Sequence, residues 1–152
     1  MRKRCIRRHY ALVDPVALAI AGAFKVSESD LDRLRMRELS SIDSFATDAA
    51  TTDDFRTVCD LLNLAETMAL AGIGGEVLDA CKAAQDALIS AKSQHEVTGR
   101  FGLTGGEIDA LRDLYAWHDA QRSTVDRSTY ERAIKRTVNR IRSSHPSVRE
   151  LV

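Results

Sequence analysis

Residues 52–70 read TDDFRTVCDLLNLAETMAL, an amphipathic stretch near the centre of the chain. Its apolar residues recur every three or four positions, which places them on one face of an α-helix. The face consists of Phe55, Val58, Cys59, Leu62, Ala65 and Ala69, widened by Leu61, Leu64 and Met68. Because more than half of the circumference is apolar, we expect this helix at the centre of a helical bundle.

The helical pattern continues on the C-terminal side of this stretch. A glycine cluster at residues 72–75 ends the central helix, and a further helix is predicted over residues 76–97. Two long helices with a short glycine link are typical of an antiparallel hairpin. The predicted inner face of the second helix contains Val77, Cys81, Ala84, Leu88 and Ile89.

Capping residues and apolar spacing predict further helices on both sides of this hairpin. Ser27, Thr104 with Glu107, and Ser128 with Glu131 mark three helix starts, and Asp14-Pro15 opens a short alanine-rich helix over residues 16–24. The inner faces are Leu31, Leu34, Leu39, Ile42 and Phe45 in the first, Ile108, Leu111, Leu114, Tyr115 and His118 in the second, and Tyr130, Ile134, Val138 and Ile141 in the third. No strand pattern of period two occurs in the sequence, so the predicted fold is all-α, a single compact bundle of five to six helices.

Length and composition set the class of protein. The 152 residues suit one domain, with 44% hydrophobic and 29% charged residues. We divide the chain into a basic N-terminal arm (1–13), a helical bundle (14–146) and a C-terminal tail (147–152). No apolar run reaches the length of a membrane span. Three cysteines, an odd count with no paired spacing, favour a reduced, cytoplasmic protein. Residues 1–24 resemble a secretory signal in outline, but Asp14-Pro15 interrupts the apolar run, so an arm and a first helix are the preferred interpretation.

The net charge of zero hides a segregation of charges along the chain. Residues 1–13 contain five bases and no acid, residues 14–97 contain fifteen acids and seven bases, and residues 98–152 contain ten bases and seven acids. The basic ends either pair with the acidic middle or bind partners.

No residue pattern predicts catalysis, a cofactor or a metal site. The histidines His9, His95, His118 and His145 lack a ligand spacing, and the neighbouring His118 and Asp119 point about 100° apart on a helix. The glycine clusters at 72–75 and 102–106 follow no strand and lack a phosphate-loop lysine. We therefore expect no enzyme, no cofactor and no metal ion, with Cys59 and Cys81 as small packing residues.

Basic residues at the two ends form the candidate binding site. In the last predicted helix Arg132, Arg136 and Arg140 recur every four positions beside Lys135 and Arg142, and the arm contributes Arg2, Lys3, Arg4, Arg7 and Arg8. Such a stripe suits a nucleic-acid backbone, but it equally suits a solvated face or docking on the acidic middle of the same chain. Trp117, the single tryptophan, is either a buried anchor or a partner contact.

Several short strings give the chain a family resemblance. They are RKR (2–4), LVDP (12–15), AIAGA (19–23), LLNLAETM (61–68), LTGG (103–106), LRDLY (111–115), HD (118–119), QR (121–122) and SxYERAI (128–134). With these strings the chain resembles small helical proteins of no assigned activity encoded by bacteriophages and prophages of proteobacteria. The resemblance implies a mobile-element setting and transfers no functional residue.

The expected function is therefore binding. We expect a non-enzymatic accessory protein that acts by protein–protein contact in the bacterial cytoplasm, with an inhibitor of host defence, such as an anti-CRISPR-like factor, as one form of it. The expected partner is a host or phage protein complex, and a homodimer is compatible with the sequence. The alternative is a small DNA- or RNA-binding regulator that uses the arm and the last helix.

Overall fold

The computed structural model describes residues 28–143, which form five α-helices joined by short turns. These are α1 (Glu28–Ala46), α2 (Thr52–Leu70), α3 (Val77–Thr98), α4 (Gly105–Ser123) and α5 (Arg127–Arg142). The described part of the chain contains no strand, which confirms the all-α class. Five helices fit the prediction of five to six, while the predicted helix over 16–24, the arm (1–13) and the tail (147–152) lie outside the described residues.

Side-chain caps determine where three of the helices begin. The Thr51 side chain accepts a hydrogen bond from the Asp54 backbone N–H, and Asp54 accepts one from the Thr51 N–H in return. The Thr104 hydroxyl caps α4 by accepting from the Glu107 N–H, as predicted. At α5 the prediction of Ser128 was wrong, because Asp126 accepts from the Thr129 N–H at 2.7 Å and starts the helix earlier.

Helix α2 lies at the centre of the fold, as its apolar circumference predicted. It packs against each of the other four helices. Every residue of its predicted apolar face is buried except Leu64, which is half-buried. Hydrophobic burial around α2 is therefore the main stabilising term of the bundle.

The turn between α3 and α4 is fixed by an aromatic stack. Phe101 lies almost parallel to Phe55 of α2, with ring centroids 5.0 Å apart, and to His95 of α3 at 4.1 Å. Gly99 adopts a positive φ of 73° at the end of α3, a conformation that glycine takes without strain. This turn brings α4 back along α3.

Four residues predicted on inner faces are more than one-third exposed: Leu39, Ile89, Ile134 and Val138. On α1 the buried positions beside Leu39 are instead Glu38 and Ser41. Ile89 lies outside the inner face of α3, where Ala84, Ala87, Leu88 and Ala91 are buried. Ile134 and Val138 are exposed because α5 packs chiefly on α2 and leaves one side without a helical neighbour.

None of the five helices between residues 28 and 143 combines the length and the apolar character that a membrane crossing requires.

Candidate interaction surface

Helix α5 differs from the rest of the described chain in charge. It carries six basic residues and one acid, whereas residues 28–126 carry nineteen acids and nine bases. Helix α5 is therefore a basic helix that packs on an otherwise acidic bundle. This contrast makes α5 the strongest candidate for contact with a charged partner.

One side of α5 fastens the helix to α2. Tyr130, Ala133 and Thr137 are buried there, and Tyr130 and Ala133 share a cluster with Met68 of α2. The Arg140 guanidinium donates a hydrogen bond to the Glu66 carboxylate at 2.9 Å and another to the Thr67 hydroxyl at 2.8 Å. Arg140 therefore pairs with the acidic middle of the same chain. It is not part of a partner-binding stripe, contrary to the prediction from the sequence.

The outward side of α5 presents four basic residues: Arg132, Lys135, Arg136 and Arg142, all of them exposed. At about 100° per residue they span about 120° of the helix circumference, with Asn139 between them. Among residues 28–143 the salt bridges of α5 are Arg127–Glu131 and Arg140–Glu66, so these four form none there. We call these four residues the outward basic face.

Arg132 is held more closely than the other three members of this face. Its guanidinium donates hydrogen bonds to the hydroxyls of Ser128 at 3.3 Å and Thr129 at 3.0 Å, in the first turn of the same helix. Lys135, Arg136 and Arg142 are therefore the members whose replacement disturbs the fold least.

A cleft of about 400 Å³ lies on the remaining side of α5, between α1, α2 and α5. Its lining is mainly apolar and includes Leu34, Leu61, Leu64, Ile134, Val138 and Ile141. Glu38 lies in the wall, and the exposed carboxyl of Asp60 faces Arg37 at the rim. Partial removal from water raises the pKa of Asp60, and the charge of Arg37 opposes that shift. We refer to this feature as the α1/α5 cleft.

A buried ion network ties α4 to α1 beside this cleft. Both terminal nitrogens of Arg122 donate to the Glu38 carboxylate, at 3.1 and 2.9 Å, and its Nε donates to Asp119 at 2.8 Å. Asp119 also accepts from Arg35 of α1 at 2.9 Å. Arg122 is 1% exposed and Glu38 7%, so the pair is shielded from water. This network was not predicted from the sequence, since Glu38 and Arg122 are 84 residues apart in the chain.

The protonation of this network follows from burial and hydrogen bonding. Burial raises the pKa of the Glu38 carboxyl, and the hydrogen bonds from Arg122 oppose that shift. Burial opposes ionisation of Arg122 as well, but its bonds to Glu38 and Asp119 outweigh burial and raise its pKa. Asp119 is partly buried, yet bonds from Arg35 and Arg122 lower its pKa. With bidentate geometry at about 3 Å, the network is ionised at neutral pH.

His118 and Asp119 belong to separate networks, as their adjacent positions predicted. Burial lowers the pKa of His118 to about 4, so the ring is neutral at pH 7. Its Nδ1 lies 2.8 Å from Oε1 of Gln121, whose amide nitrogen donates to the carbonyls of Ala65 and Ile73. That arrangement requires Nδ1 to donate. His118 is fully buried and is therefore a core residue of α4.

Other reactive groups in the described part of the chain are buried or dispersed. Burial raises the pKa of Cys59 and of Cys81 to about 12, which keeps both thiols neutral. Both residues pack in the core, as predicted. No group of three or more His, Cys, Asp or Glu residues between 28 and 143 is arranged to hold a metal ion.

Trp117 lies on α4 and is 45% exposed, so the buried-anchor interpretation was wrong and the partner-contact interpretation stays a prediction. The structure groups Arg132, Lys135, Arg136 and Arg142 on one helix face and assigns Arg140 to the bundle. The basic arm residues Arg2, Lys3, Arg4, Arg7 and Arg8 lie outside the described residues.

Comparison with known proteins gives no relative. No protein-family model, curated protein or solved structure matches the chain. The resemblance to phage-encoded proteins therefore stays a prediction.

Proposed function

We propose that the protein is a non-enzymatic binding protein that docks the outward basic face of α5 on an acidic patch of a partner protein. The observation that carries this proposal is a set of four exposed bases without a salt bridge in residues 28–143, on a helix that Arg140 fastens to the bundle. Pairing such charges with an acidic surface speeds association and selects the partner, although removing the charges from water costs free energy.

The distribution of charge favours a protein partner over a nucleic acid. An extended polyanion that crosses α5 also meets the acidic body, on which residues 28–126 hold ten more acids than bases. Repulsion between exposed charges extends over about 8 Å at physiological ionic strength. A compact acidic patch on a protein contacts α5 alone and avoids this repulsion.

The proposed setting follows from the resemblance to phage-encoded proteins. There the protein acts in the bacterial cytoplasm as an accessory factor of a mobile element, with a host-defence assembly such as a CRISPR complex as one class of target. The basic arm (1–13) adds charge of the same sign and, in this proposal, attracts the same partner.

Affinity capture tests this proposal. The tagged full chain is used to capture proteins from a bacterial lysate with and without nuclease, alongside a K135Q/R136Q/R142Q variant. The control R33Q/R56Q/K82Q removes the same charge from exposed residues on α1, α2 and α3. We expect the wild-type chain to capture an acidic protein that stays bound after nuclease treatment. The control variant is expected to capture the same protein, and the K135Q/R136Q/R142Q variant is expected to lose it. Equal binding by both variants, or no nuclease-resistant partner, contradicts the proposal.

Nucleic acid is the second candidate, favoured by the outward basic face and by the three residues, 124–126, that join α4 to α5. In helix-turn-helix DNA-binding units, a turn of similar length joins the two helices. Against it, α5 packs on α2 instead of on α4. If it binds duplex DNA, the K135Q/R136Q/R142Q variant flattens the salt dependence of log K by about 3 units. Absence of binding to a mixed duplex in low salt contradicts this candidate.

A further inference from the structure

The α1/α5 cleft leaves several large apolar side chains accessible to water. Ile134 and Val138 are 41% and 39% exposed there, and Leu34, Leu64 and Ile141 are half-buried. These residues form one contiguous lining instead of scattered surface positions. An apolar segment that packs on this lining removes hydrophobic surface from water on both sides, which favours such packing.

We propose that residues 15–24 of the same chain occupy the α1/α5 cleft and form the sixth helix of the bundle. Their sequence is PVALAIAGAF, which carries no charged side chain. Val16, Ile20 and Phe24 recur every four positions and so share one face of a helix, and the positions between them are alanine or glycine except for Leu18. An uncharged face with large side chains in one row matches the apolar lining of the cleft.

The position of α1 supports this occupant. Helix α1 begins at Glu28 and forms one wall of the cleft through Leu34, Arg37 and Glu38. Three residues, 25–27, separate it from the proposed helix, and antiparallel helices are commonly joined by about two to five residues.

The lengths agree as well. A helix of residues 15–24 is about 15 Å long, and the rise along α1 from Glu28 to Glu38 is also about 15 Å. A helix that runs back along α1 from residue 24 therefore reaches the level of the cleft lining. In this arrangement α5 is held by α2 on one side and by residues 15–24 on another, while its outward basic face stays accessible.

Crosslinking tests the proposal in the full chain. An I20C/V138C variant with Cys5 replaced by serine is treated with a short bismaleimide under native conditions. Cys59 and Cys81 do not interfere, because they are buried and their thiols are neutral. We expect an intramolecular crosslink in the monomer. The control I20C/V97C, in which Val97 is an exposed apolar residue on α3, is expected to give none.

The other outcomes overturn the proposal. A crosslink that forms only between two chains identifies a second copy as the occupant. Absence of the I20C/V138C crosslink, or an equal yield in the control, shows that residues 15–24 do not lie in the cleft. These results are independent of the partner on the outward basic face, so failure of either proposal leaves the other standing.

A second measurement tests the same proposal without depending on formation of a crosslink. In the V138C variant with Cys5 replaced by serine, the thiol is alkylated while the protein is folded. Adding I20D and F24D is expected to speed alkylation by about tenfold, since a charged face no longer shields the cleft. The same two changes are expected to leave alkylation of V97C unchanged. An unchanged rate at position 138 contradicts the proposal.

Discussion

At the residue scale, the buried ion pair Glu38–Arg122 has the strictest hydrogen-bonding requirement in the bundle. Two charges removed from water require full hydrogen-bond satisfaction, and the bidentate geometry with Asp119 as a third partner supplies it. The pair specifies how α4 lies on α1, because a shift of either helix leaves a charge without its partner. It also forms part of the wall beside the cleft.

Replacing one member of this pair tests that role. Arg122→Met leaves the Glu38 carboxylate buried without its partner, and we expect the free energy of unfolding in urea at pH 7 to fall by about 3–5 kcal/mol. The double variant E38L/R122M removes both charges and is expected to recover much of that loss. Two single-variant costs that simply add in the double variant show that the residues do not act as a pair.

His118 is expected to make the stability of the protein depend on pH. In the unfolded chain histidine binds a proton below about pH 6.5, whereas the folded protein binds one at His118 only near pH 4. Protonation therefore favours the unfolded state, so the contribution is complete above pH 6.5 and is lost as the pH falls toward 4.

The size of the effect follows from linkage. Between pH 6.5 and pH 4 the wild type is expected to lose about 3 kcal/mol more unfolding free energy than His118→Gln, which keeps a donor for Gln121. Urea unfolding at half-unit pH steps measures the difference between the two curves, from which groups common to both proteins cancel. Parallel curves contradict the assignment of a buried neutral His118.

At the element scale, α2 is the helix on which the others depend. Leu62 lies at its centre and is 1% exposed, so Leu62→Ala removes buried surface and leaves a cavity. We expect a loss of about 2–5 kcal/mol in the free energy of unfolding. Leu70→Ala, at an exposed position of the same helix, is the control and is expected to change stability by under about 0.5 kcal/mol. A similarly small loss at Leu62 shows that α2 is not central.

The periodicity of apolar residues predicted where the helices lie, but it did not predict which elements cover their apolar faces. The apolar spacing of residues 52–70 identified a central helix because burial on several sides leaves a wide apolar face. The line Tyr130, Ile134, Val138 and Ile141 was also read as buried, yet only Tyr130 is. A spacing of four shows that residues share a face, but not which element covers it.

The candidate interaction surface was also predicted from the sequence only in part. Sequence spacing predicted a stripe of Arg132, Arg136 and Arg140 with Lys135 and Arg142 beside it, because all five lie within one short helix, and the four other than Arg140 form the outward basic face. It did not predict that Arg140 is taken up by Glu66, since that pair joins residues 74 positions apart. The α1/α5 cleft arises from how three helices pack, and no local pattern encodes it.

At the scale of the whole molecule, the protein is an acidic bundle with basic elements at its ends. Residues 28–126 are acidic, α5 is basic, and the arm adds five bases within residues 1–13. In the proposed function, this layout attracts an acidic partner to one face, while the acidic surface of residues 28–126 repels it. Orientation of the partner then follows from charge as well as from shape.

Removing part of the arm separates binding from folding. Deletion of residues 2–9 is expected to leave the melting temperature nearly unchanged and to weaken capture of the partner, more so at low salt where charge speeds association. Thermal unfolding and capture at two salt concentrations provide the comparison. A deletion that destabilises the bundle shows instead that the arm, with Ile6 and Tyr10, belongs to the fold.

Photo-crosslinking at Asn139 tests whether α5 contacts a partner protein. Asn139 is exposed in the middle of the outward basic face, and Ser93 is an exposed control on α3. A benzophenone side chain at position 139 is expected to give, in cells and after nuclease digestion, an adduct with an acidic protein that position 93 does not give. The adduct is also expected to disappear when Lys135, Arg136 and Arg142 are replaced by glutamine. Equal adducts at both positions, or no protein adduct at position 139, would contradict the claim that α5 binds a protein partner.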